Sequence, residues 1–531
     1  MTPPPTLAAI AALARSGAVE RGWALFVAQG HDRRGGDPAA LMVMGRLLKG
    51  RARTAEGATR GALFAEAADA YGAAHALGPA PYLAINAATA RLLAGDPARA
   101  QAEARAVLAL LDAAQPLIDT PYFIAATRAE ALLLLGDEAG ARSAMAEAAK
   151  ADPDGWADRA VTLAQLREVA LAQGAEFAWL ADFAPPASLH FSGHLGIAAG
   201  GASEAELAGL LAPLLDQRRS GFAWGALAAG ADIVIAEQLL ARGIALHAVL
   251  PCPPDKFAAQ SVRPAGEAWA RRYDALLGAA ASVRWAGDAA APVHDPLATA
   301  LAGELAIGAA ILNARAQDAP AWQLIVTDPQ GGGPNTARQA ELWRPSAGEQ
   351  VHLQTPRDAE VEALFPPEAP DPARALAVHL AVSLDGLDGL RSEAIARHCA
   401  PVSEALGTLP RHLVRAAAPG RWEALVDDPL QARSLMQTML HAARTADLPP
   451  PAIGAHLAIS IQVPDPASGA VIPFGPGMPL ARRLCAMAPA GSSLISDALA
   501  VTLTSREADP VCQLYHAGDD EFDGPVHTLS S

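Results

Sequence analysis

GALAAGADIVIAEQLLARGIALHAVLP, residues Gly225 to Pro251, decides the fold class of this chain. It opens on glycines and small residues and passes through a helical stretch from Ala231 to Arg242. It ends in IALHAVLP, residues 244 to 251, an almost unbroken apolar run of strand length. A strand that is apolar on both faces belongs in a parallel sheet covered by helices. The same pattern extends in both directions. Upstream, SLHFSGH at 188 to 194 is an extended apolar run ending near a glycine, Glu204 to Leu215 has helical spacing, and Gly221 to Trp224 reads as a second strand. Downstream, AWQLIVTD at 321 to 328 is another buried strand, opening into Pro329-Gln330-Gly331-Gly332-Gly333-Pro334-Asn335-Thr336. Alternating strands and helices of this kind predict a Rossmann-like α/β domain over 187–345.

Two glycine-rich loops follow buried strands in this domain, Gly225 to Gly230 and Gly331 to Thr336. A residue without a β-carbon lets the backbone close on a phosphate, and the following helix N-terminus offers free amides. The same glycines also permit tight packing of helix on strand, and both readings stand at this point. His190 and His194 bracket the loop after the first strand; they fall at strand spacing with no carboxylate partner in the run, so they read as core or loop histidines and not metal ligands. A P-loop is excluded, because it needs Gly-Lys-Ser/Thr and the only lysines, Lys49, Lys150 and Lys256, do not follow a glycine.

Outward from the α/β core, the first 182 residues are rich in alanine and leucine at helical spacing with short Gly-Asp and Asp-Pro interruptions, the punctuation of stacked helix pairs. Tyr122 to Pro153 places Ala129 where two helices must approach, Gly136-Asp137 at a turn, and Ala141, Met145 and Ala148 on the return. An earlier copy runs from Tyr82 through Ala88, Gly95-Asp96, Ala100, Ala104 and Val107, and Ala67, Tyr71, Ala74 and Pro79 mark part of a third. The alternative is an ordinary alanine-rich bundle. On the other side, a stretch rich in Pro, Glu and Asp, residues 346–373, reads as a linker. Beyond it, 374–531 gives strand (LAVHLAVS), helix (Ser392 to Leu406), hairpin (HLVRAAAPGRWEALV), helix (Pro429 to Ala446) and a second hairpin from Ala455, a ferredoxin-like α+β order.

The chain has 531 residues, enough for about three domains, and its 51% hydrophobic against 18% charged residues argue against global disorder. Forty basic and 56 acidic residues give a net charge of −16, which disfavours nucleic acid as a partner. Cys252, Cys399, Cys485 and Cys512 show no CxxC spacing, so neither a disulfide framework nor a zinc knuckle is read, and a reducing cytoplasm is the expected compartment. The opening MTPPPTLAAIAALARSGAVERG lacks a basic n-region and reads as mature protein. The most apolar internal stretch, Gly225 to Leu250, is broken by Asp232, Glu237 and Arg242, so no membrane span is expected.

These motifs resemble three families. The helical repeats resemble tetratricopeptide repeats, akin to the TRAF-binding type, whose concave face would dock a protein. Gly225 to Pro251 resembles the core of the SLOG superfamily, which includes the DNA-processing protein A fold and the Lonely-Guy phosphoribohydrolases. The resemblance implies a nucleotide-type ligand held by Gly193, Gly225, Gly230 and Asp232 on one side and by Gly332, Gly333 and Thr336 on the other. The later loop departs from that family's Gly-Gly-x-Gly-Thr: Asn335 replaces a glycine, and Gln339 stands where a glutamate is needed, with Glu341 two residues on. Residues 374–531 resemble a class III adenylate/guanylate cyclase homology domain, with Gly386 and Leu387 at its Gly-Phe positions. The resemblance puts Ser383 and Gly420 where the two metal aspartates would stand, Pro479 at the asparagine position and Arg483 at the transition-state arginine. Serine and glycine cannot supply the hard anionic oxygens that two Mg²⁺ ions need, so no catalytic residues and no metal are expected. A register shift would instead recruit Asp385, Asp388, Asp427 or Asp428.

The domain order is similar to that of bacterial signalling proteins and implies a nucleotide-responsive regulatory scaffold, with a protein partner or intramolecular docking through the repeats and a homodimer through the cyclase-like part. The competing class is an enzyme, either an active cyclase with displaced metal ligands or a nucleotide-processing SLOG domain. Apart from a nucleotide ligand, no cofactor is implied.

Overall fold

The computed structural model describes residues 6–15, 19–113, 119–287, 295–331, 333–343, 347–365, 371–507, 512–516 and 524–529. They divide into two compact units: Met1–Pro185 with Ala316–Asp318 and Leu514–His516, and the remainder of the chain.

The first unit is helical: α1 (Leu7–Arg15), α2 (Val19–Ala28), α3 (Pro38–Thr54), α4 (Gly57–Leu77), α5 (Pro81–Leu93), α6 (Pro97–Asp112), α7 (Pro121–Leu134), α8 (Glu138–Ala151) and α9 (Trp156–Ala172). Proline in the first turn and an aspartate or threonine cap start many of them: Asp37, Asp96 and Asp137 each accept backbone amides of the turn they precede. From α1 to α8 each helix packs on the next, and Ala129, Ala141, Met145 and Ala148 are buried. Side chains also link helices that are not chain neighbours. Side chains from α3, α5, α7 and α9 meet one another: Lys49 Nζ donates to Asn86 Oδ1 (3.1 Å) and Gln165 Oε1 (2.6 Å), while Glu130 accepts from Thr89 and Gln165. Burial pushes the Lys49 ammonium down to about 8 and raises the Glu130 carboxyl. Buried and half-buried polar contacts thus join four helices at this level.

The second unit holds two sheets. The first has β1 (Ala187–Ser192), α10 (Ala202–Asp216), β2 (Ser220–Gly225), α11 (Ala231–Leu240), β3 (Ala245–Leu250), α12 (Pro254–Ser261), α13 (Glu267–Ala279), β4 (Ser282–Trp285), α14 (Pro296–Ala316), β5 (Ala321–Thr327), α15 (Pro334–Leu342) and β6 (Gly348–Gln354). All its neighbouring strands are parallel, in the order β4-β3-β2-β1-β5-β6. The apolar runs read from the sequence are its buried central strands. The expected linker 346–373 is not one: Gly348 to Gln354 pairs along its whole length with β5, and 355–365, with the short α16 (Ala359–Glu362), returns across the strand ends. GEQVHLQ escapes a hydrophobicity reading because an edge strand has one neighbour and keeps alternate side chains wet.

The second sheet follows β7 (Arg374–Ser383), α17 (Ser392–Leu406), β8 (Val414–Ala418), β9 (Arg421–Val426), α18 (Pro429–Thr445), β10 (Ala452–Pro464), β11 (Val471–Phe474), α19 (Gly477–Met487), β12 (Ser493–Ser496) and α20 (Asp497–Arg506). Its order runs Val526–Leu529, β12, β10, β7, β9, β8, so β10-β7-β9-β8 forms the expected ferredoxin-like core.

The two sheets do not make separate domains. α14 is buried on nearly every side: Ala302, Ala306 and Ala310 pack with Trp224 and Val249 of the parallel sheet, Ile307 and Ile311 with Ala321, and Ala298 and Leu301 join the core of the second sheet. This 21-residue helix, not Gly225 to Leu250, is long and apolar enough to cross a membrane; here its apolar surface is spent on two sheets.

Candidate functional site

A cavity of about 390 Å³ opens at the carboxyl ends of β1, β2 and β3, beside the point where the chain order of the parallel sheet reverses between β1 and β5. Open α/β sheets present crevices there because helices leave the two adjacent strands toward opposite faces. Its wall contains Ser192, Gly193 and His194 after β1, Ala228 and Asp232 after β2, and Gly333 to Thr336 after β5. Helix α14 contributes Thr299, Ala302, Gly303 and Ala306, and the return segment contributes Arg357, Glu362 and Phe365.

The structure thus brings Gly193, Asp232, Gly333 and Thr336 to one cavity; Gly332 lies outside the described residues. Gly225 is not part of the wall: a β-carbon there would stand 2.6 Å from the Phe191 ring, so this glycine serves strand packing. Gly230 caps α11 at φ 119°, a conformation L side chains rarely adopt, and a β-carbon would meet the His194 carbonyl at 2.9 Å. Its substitution would therefore test folding before it tested binding.

Asp232 fixes the loops to each other. Its carboxylate accepts from the amides of Gly193 (2.7 Å) and Ala228 (3.3 Å), and burial pushes it up to about 7 against the pull of those two hydrogen bonds. The first turn of α11 already carries a carboxylate, which leaves little attraction for an anion there. At the other end of the cavity the helix start carries no carboxylate of its own. α15 starts at Gly333 with no side-chain cap, Pro334 has no N–H, and the amides of Asn335 and Thr336 fall in the turn where helix amides have no intrahelical acceptor. Arg357, absent from the sequence reading because it lies in the presumed linker, adds its guanidinium beside Gly331 and Gly333, held by Glu362 Oε1 at 2.5 Å. The Asn335 Oδ1 atom is buried with no hydrogen-bond partner. Gln339 lines the cavity where the resemblance would want a glutamate, and Glu341 is exposed and outside it.

The histidines are structural. His190 is buried against Gln323 (3.0 Å) and stacks on Trp343, and burial pushes it down to about 3. His194 lies between the carbonyls of Leu195 (2.7 Å) and Thr355 (3.0 Å), tying the first loop to the return segment.

In the second sheet, Ser383 and Gly420 do come together. Ser383 ends β7 opposite Arg421, the first residue of β9, and the Leu384 amide donates to the Gly420 carbonyl at 2.8 Å. Between them stands a cation: Arg421 Nη1 donates to Ser383 Oγ at 2.6 Å and Nη2 reaches Asp385 Oδ1 at 3.4 Å. Gly420 has φ 69°, and a β-carbon would lie 2.6 Å from the Leu384 carbonyl. Asp427 and Asp428 follow the far end of β9, about 20 Å away at strand rise, and Asp428 caps α18, so they are out of reach of this corner. Among the described residues no three His, Cys, Asp or Glu side chains group as a metal site. Arg483 is exposed on α19, as is Pro479; the neighbouring Arg482 donates to Glu423 Oε1 at 2.6 Å across the sheet face. Glu423 is buried, but hydrogen bonds from Arg482 and Arg415 outweigh that burial and hold it below the usual carboxylate range.

No family model and no curated protein matches this chain. Among solved structures it is similar to adenylate cyclases from Trypanosoma brucei in their monomeric state, at 13% identity over 30% of this chain and 91% of that one, with a TM-score of 0.25. It is also similar to the adenylyl cyclase CyaB from P. aeruginosa, at 13% identity over 30% and 95% of the two chains, TM-score 0.25. A third is an adenylate/guanylate cyclase/hydrolase from Silicibacter pomeroyi, at 17% identity over 29% and 95%, TM-score 0.23.

Proposed function

We propose that this chain is a regulatory protein that binds a phosphate-bearing ligand of nucleotide size in the cavity between β1 and β5, and that its cyclase-like part does not turn over nucleoside triphosphates. The observation that carries the binding reading is the convergence, on one cavity, of the uncapped first turn of α15 and the Arg357 guanidinium. A phosphate at that end gains charge-assisted hydrogen bonds, while the apolar wall of Ala302, Ala306, Phe257 and Phe365 suits a flat or aliphatic remainder. Titration calorimetry of the full chain against nucleoside monophosphates, triphosphates and nucleotide sugars tests it. Binding is expected for at least one class, with Arg357→Ala weakening it by tenfold or more, as removal of a hydrogen bond to a charged group costs about 1.5 to 3 kcal/mol. A folded wild type that binds none of the panel overturns the reading.

The lack of turnover rests on Arg421 against Ser383, a fixed positive charge where a cyclase would hold divalent cations. No cAMP or cGMP is expected from ATP or GTP with Mg²⁺ or Mn²⁺; sustained production abolished by Arg483→Ala would overturn this part. The double change Ser383→Asp and Gly420→Asp is not expected to create activity, since an aspartate at 420 meets the Leu384 carbonyl in a left-handed conformation.

A further inference from the structure

Glu304 of α14 is fully buried, and both its oxygens are taken by arginines from two other helices. Arg338 reaches it from α15, little more than half a turn beyond Thr336 at the cavity. Arg506 reaches it from the end of α20, with Nη2 at 2.9 Å from Oε2 and 3.1 Å from Oε1, and Arg506 Nη1 also holds Asp428 of α18 at 3.1 Å. A buried carboxylate between two guanidiniums cannot lose one of them cheaply, because the remaining charge is left without its partner in a medium that solvates it poorly. The residues around this clamp leave little slack. Gly303, next to it, faces the Gln339 side chain on the cavity side, and Gly308, one turn on, lies so close to α20 that a β-carbon would stand 2.1 Å from the Val501 carbonyl. A buried pair, Arg374 with Asp295 at 2.8 Å, fixes the start of β7 to the start of α14.

We propose that the first turn of α15, and with it the cavity, is energetically coupled to the cyclase-like sheet through Arg338, Glu304 and Arg506, so that occupancy of the cavity and the state of α20 bias each other. The regulatory meaning of this coupling rests on the binding reading above, but the coupling itself is a property of the fold. A ligand gripping the α15 amides acts on the same helix that Glu304 holds one turn later, and α20 carries Leu499, Ala500 and Leu503 in one core with Val382, the residue before Ser383. By linkage, the free energy by which a bound ligand stabilises α20 equals that by which an ordered α20 tightens the ligand.

The test uses the full chain and amide hydrogen exchange, first without ligand. Arg506→Met should raise exchange tenfold or more in 334–342, with 231–240 and 267–279 unchanged, and Arg506→Lys should lie close to wild type. Because Arg506→Met strands buried charge and threatens folding, the reciprocal variant Arg338→Met, on a half-exposed side chain, is read in 497–506, where the same rise is expected. Wild-type exchange in the distal helix of a folded variant, or an equal rise in all these helices, overturns the proposal. AMP is then the probe for the second arm. If it binds, Arg506→Met should weaken it by about five- to 100-fold, and an unchanged affinity overturns the coupling to the cavity. If AMP does not bind, a member of the panel that does bind takes its place; if none binds, the ligand reading fails while the exchange result still decides the coupling.

Discussion

Replacing Gly308 with valine should lower the thermal midpoint of the second unit by roughly 4 °C, equivalent to about 3 kcal/mol. The warrant is a backbone contact and not a side-chain fit: the added β-carbon would stand 2.1 Å from the carbonyl oxygen of Val501 and 2.7 Å from its Cγ1. Val501 is buried on α20, so neither helix can give way without opening the core that holds Leu301, Leu499 and Leu503. Alanine carries the same β-carbon and should already cost a large part of this. Gly209, inside α10 with nothing within 4 Å of its missing β-carbon, supplies the contrast: Gly209→Ala should raise stability by about 0.5 to 1 kcal/mol, because the unfolded chain loses freedom and no contact is strained. Calorimetric unfolding of the three variants decides. A wild-type midpoint for Gly308→Val would mean that α14 and α20 are not packed as described, and the coupling through Glu304 would lose its framework.

The central strands were legible because burial on both faces writes itself as a continuous apolar run: Leu189, Phe191, Leu246 and Leu324 face one layer of helices while their neighbours face the other. The ferredoxin-like order was legible for a related reason, since Ser392 to Leu406 and Pro429 to Thr445 are amphipathic and bounded by clear hairpins. What escaped was what hydrophobicity does not mark. β4 and β6 are half-wet edges, and SVRW and GEQVHLQ carry too few apolar residues to be read as strands. α14 escaped for the opposite reason: buried all round, it shows no periodic stripe, so nothing in its spacing announces that it joins two sheets.

The site was half legible. Glycines after strands pointed to the corner where the cavity lies, because a chain leaving a parallel sheet into a helix must turn there whatever else it does. They could not say which glycines line the cavity, and the structure divides them: Gly225 packs on Phe191, Gly230 meets backbone, and Gly333 stands at the open start of α15. Asp232 was read as part of a glycine turn that binds, whereas it accepts the amides of Gly193 and Ala228 and neutralises the attraction of its own helix start. Arg357 had no local signal at all. Its place in the cavity follows from β6, and only the pairing of β6 with β5 brings residues 355–365 back over the strand ends.

Acid should destabilise the second unit through two buried histidines of its second sheet. His379 and His456 face each other across β7 and β10, beneath α19, whose Gly477 leaves no room for a β-carbon against the His379 ring. Burial pushes His379 down to about 4; burial and then the neighbouring His379 push His456 down to about 3. Their only hydrogen-bonding neighbours among the described contacts are hydroxyls, Ser460 for His379 and Ser496 for His456, which gain nothing from a charged ring. The sign follows from which state binds protons. Above the unfolded value near 6.5 both states are neutral and the pair contributes nothing; below it the unfolded chain takes up two protons that the folded sheet refuses, so stability falls as pH falls, down to about pH 4. The slope is about 1.4 kcal/mol per pH unit for each histidine, or roughly 4 kcal/mol for the pair between pH 6.5 and 5. In the parallel sheet His190 behaves in the same way, but Asp232, raised to about 7, has the opposite slope: folded, it holds a proton that the unfolded carboxylate releases until pH 3.8. The two largely offset, which leaves the His379–His456 pair as a distinct acid-labile contribution beside His194 and His247, which burial also lowers. Urea unfolding at pH 7, 6 and 5 should show the loss, and His379→Gln with His456→Gln should flatten it, each glutamine keeping a hydrogen bond to its serine. An unchanged slope in that folded double variant would place the acid sensitivity elsewhere, whereas a flattened slope with Ser460 and Ser496 intact would leave ring protonation as its cause.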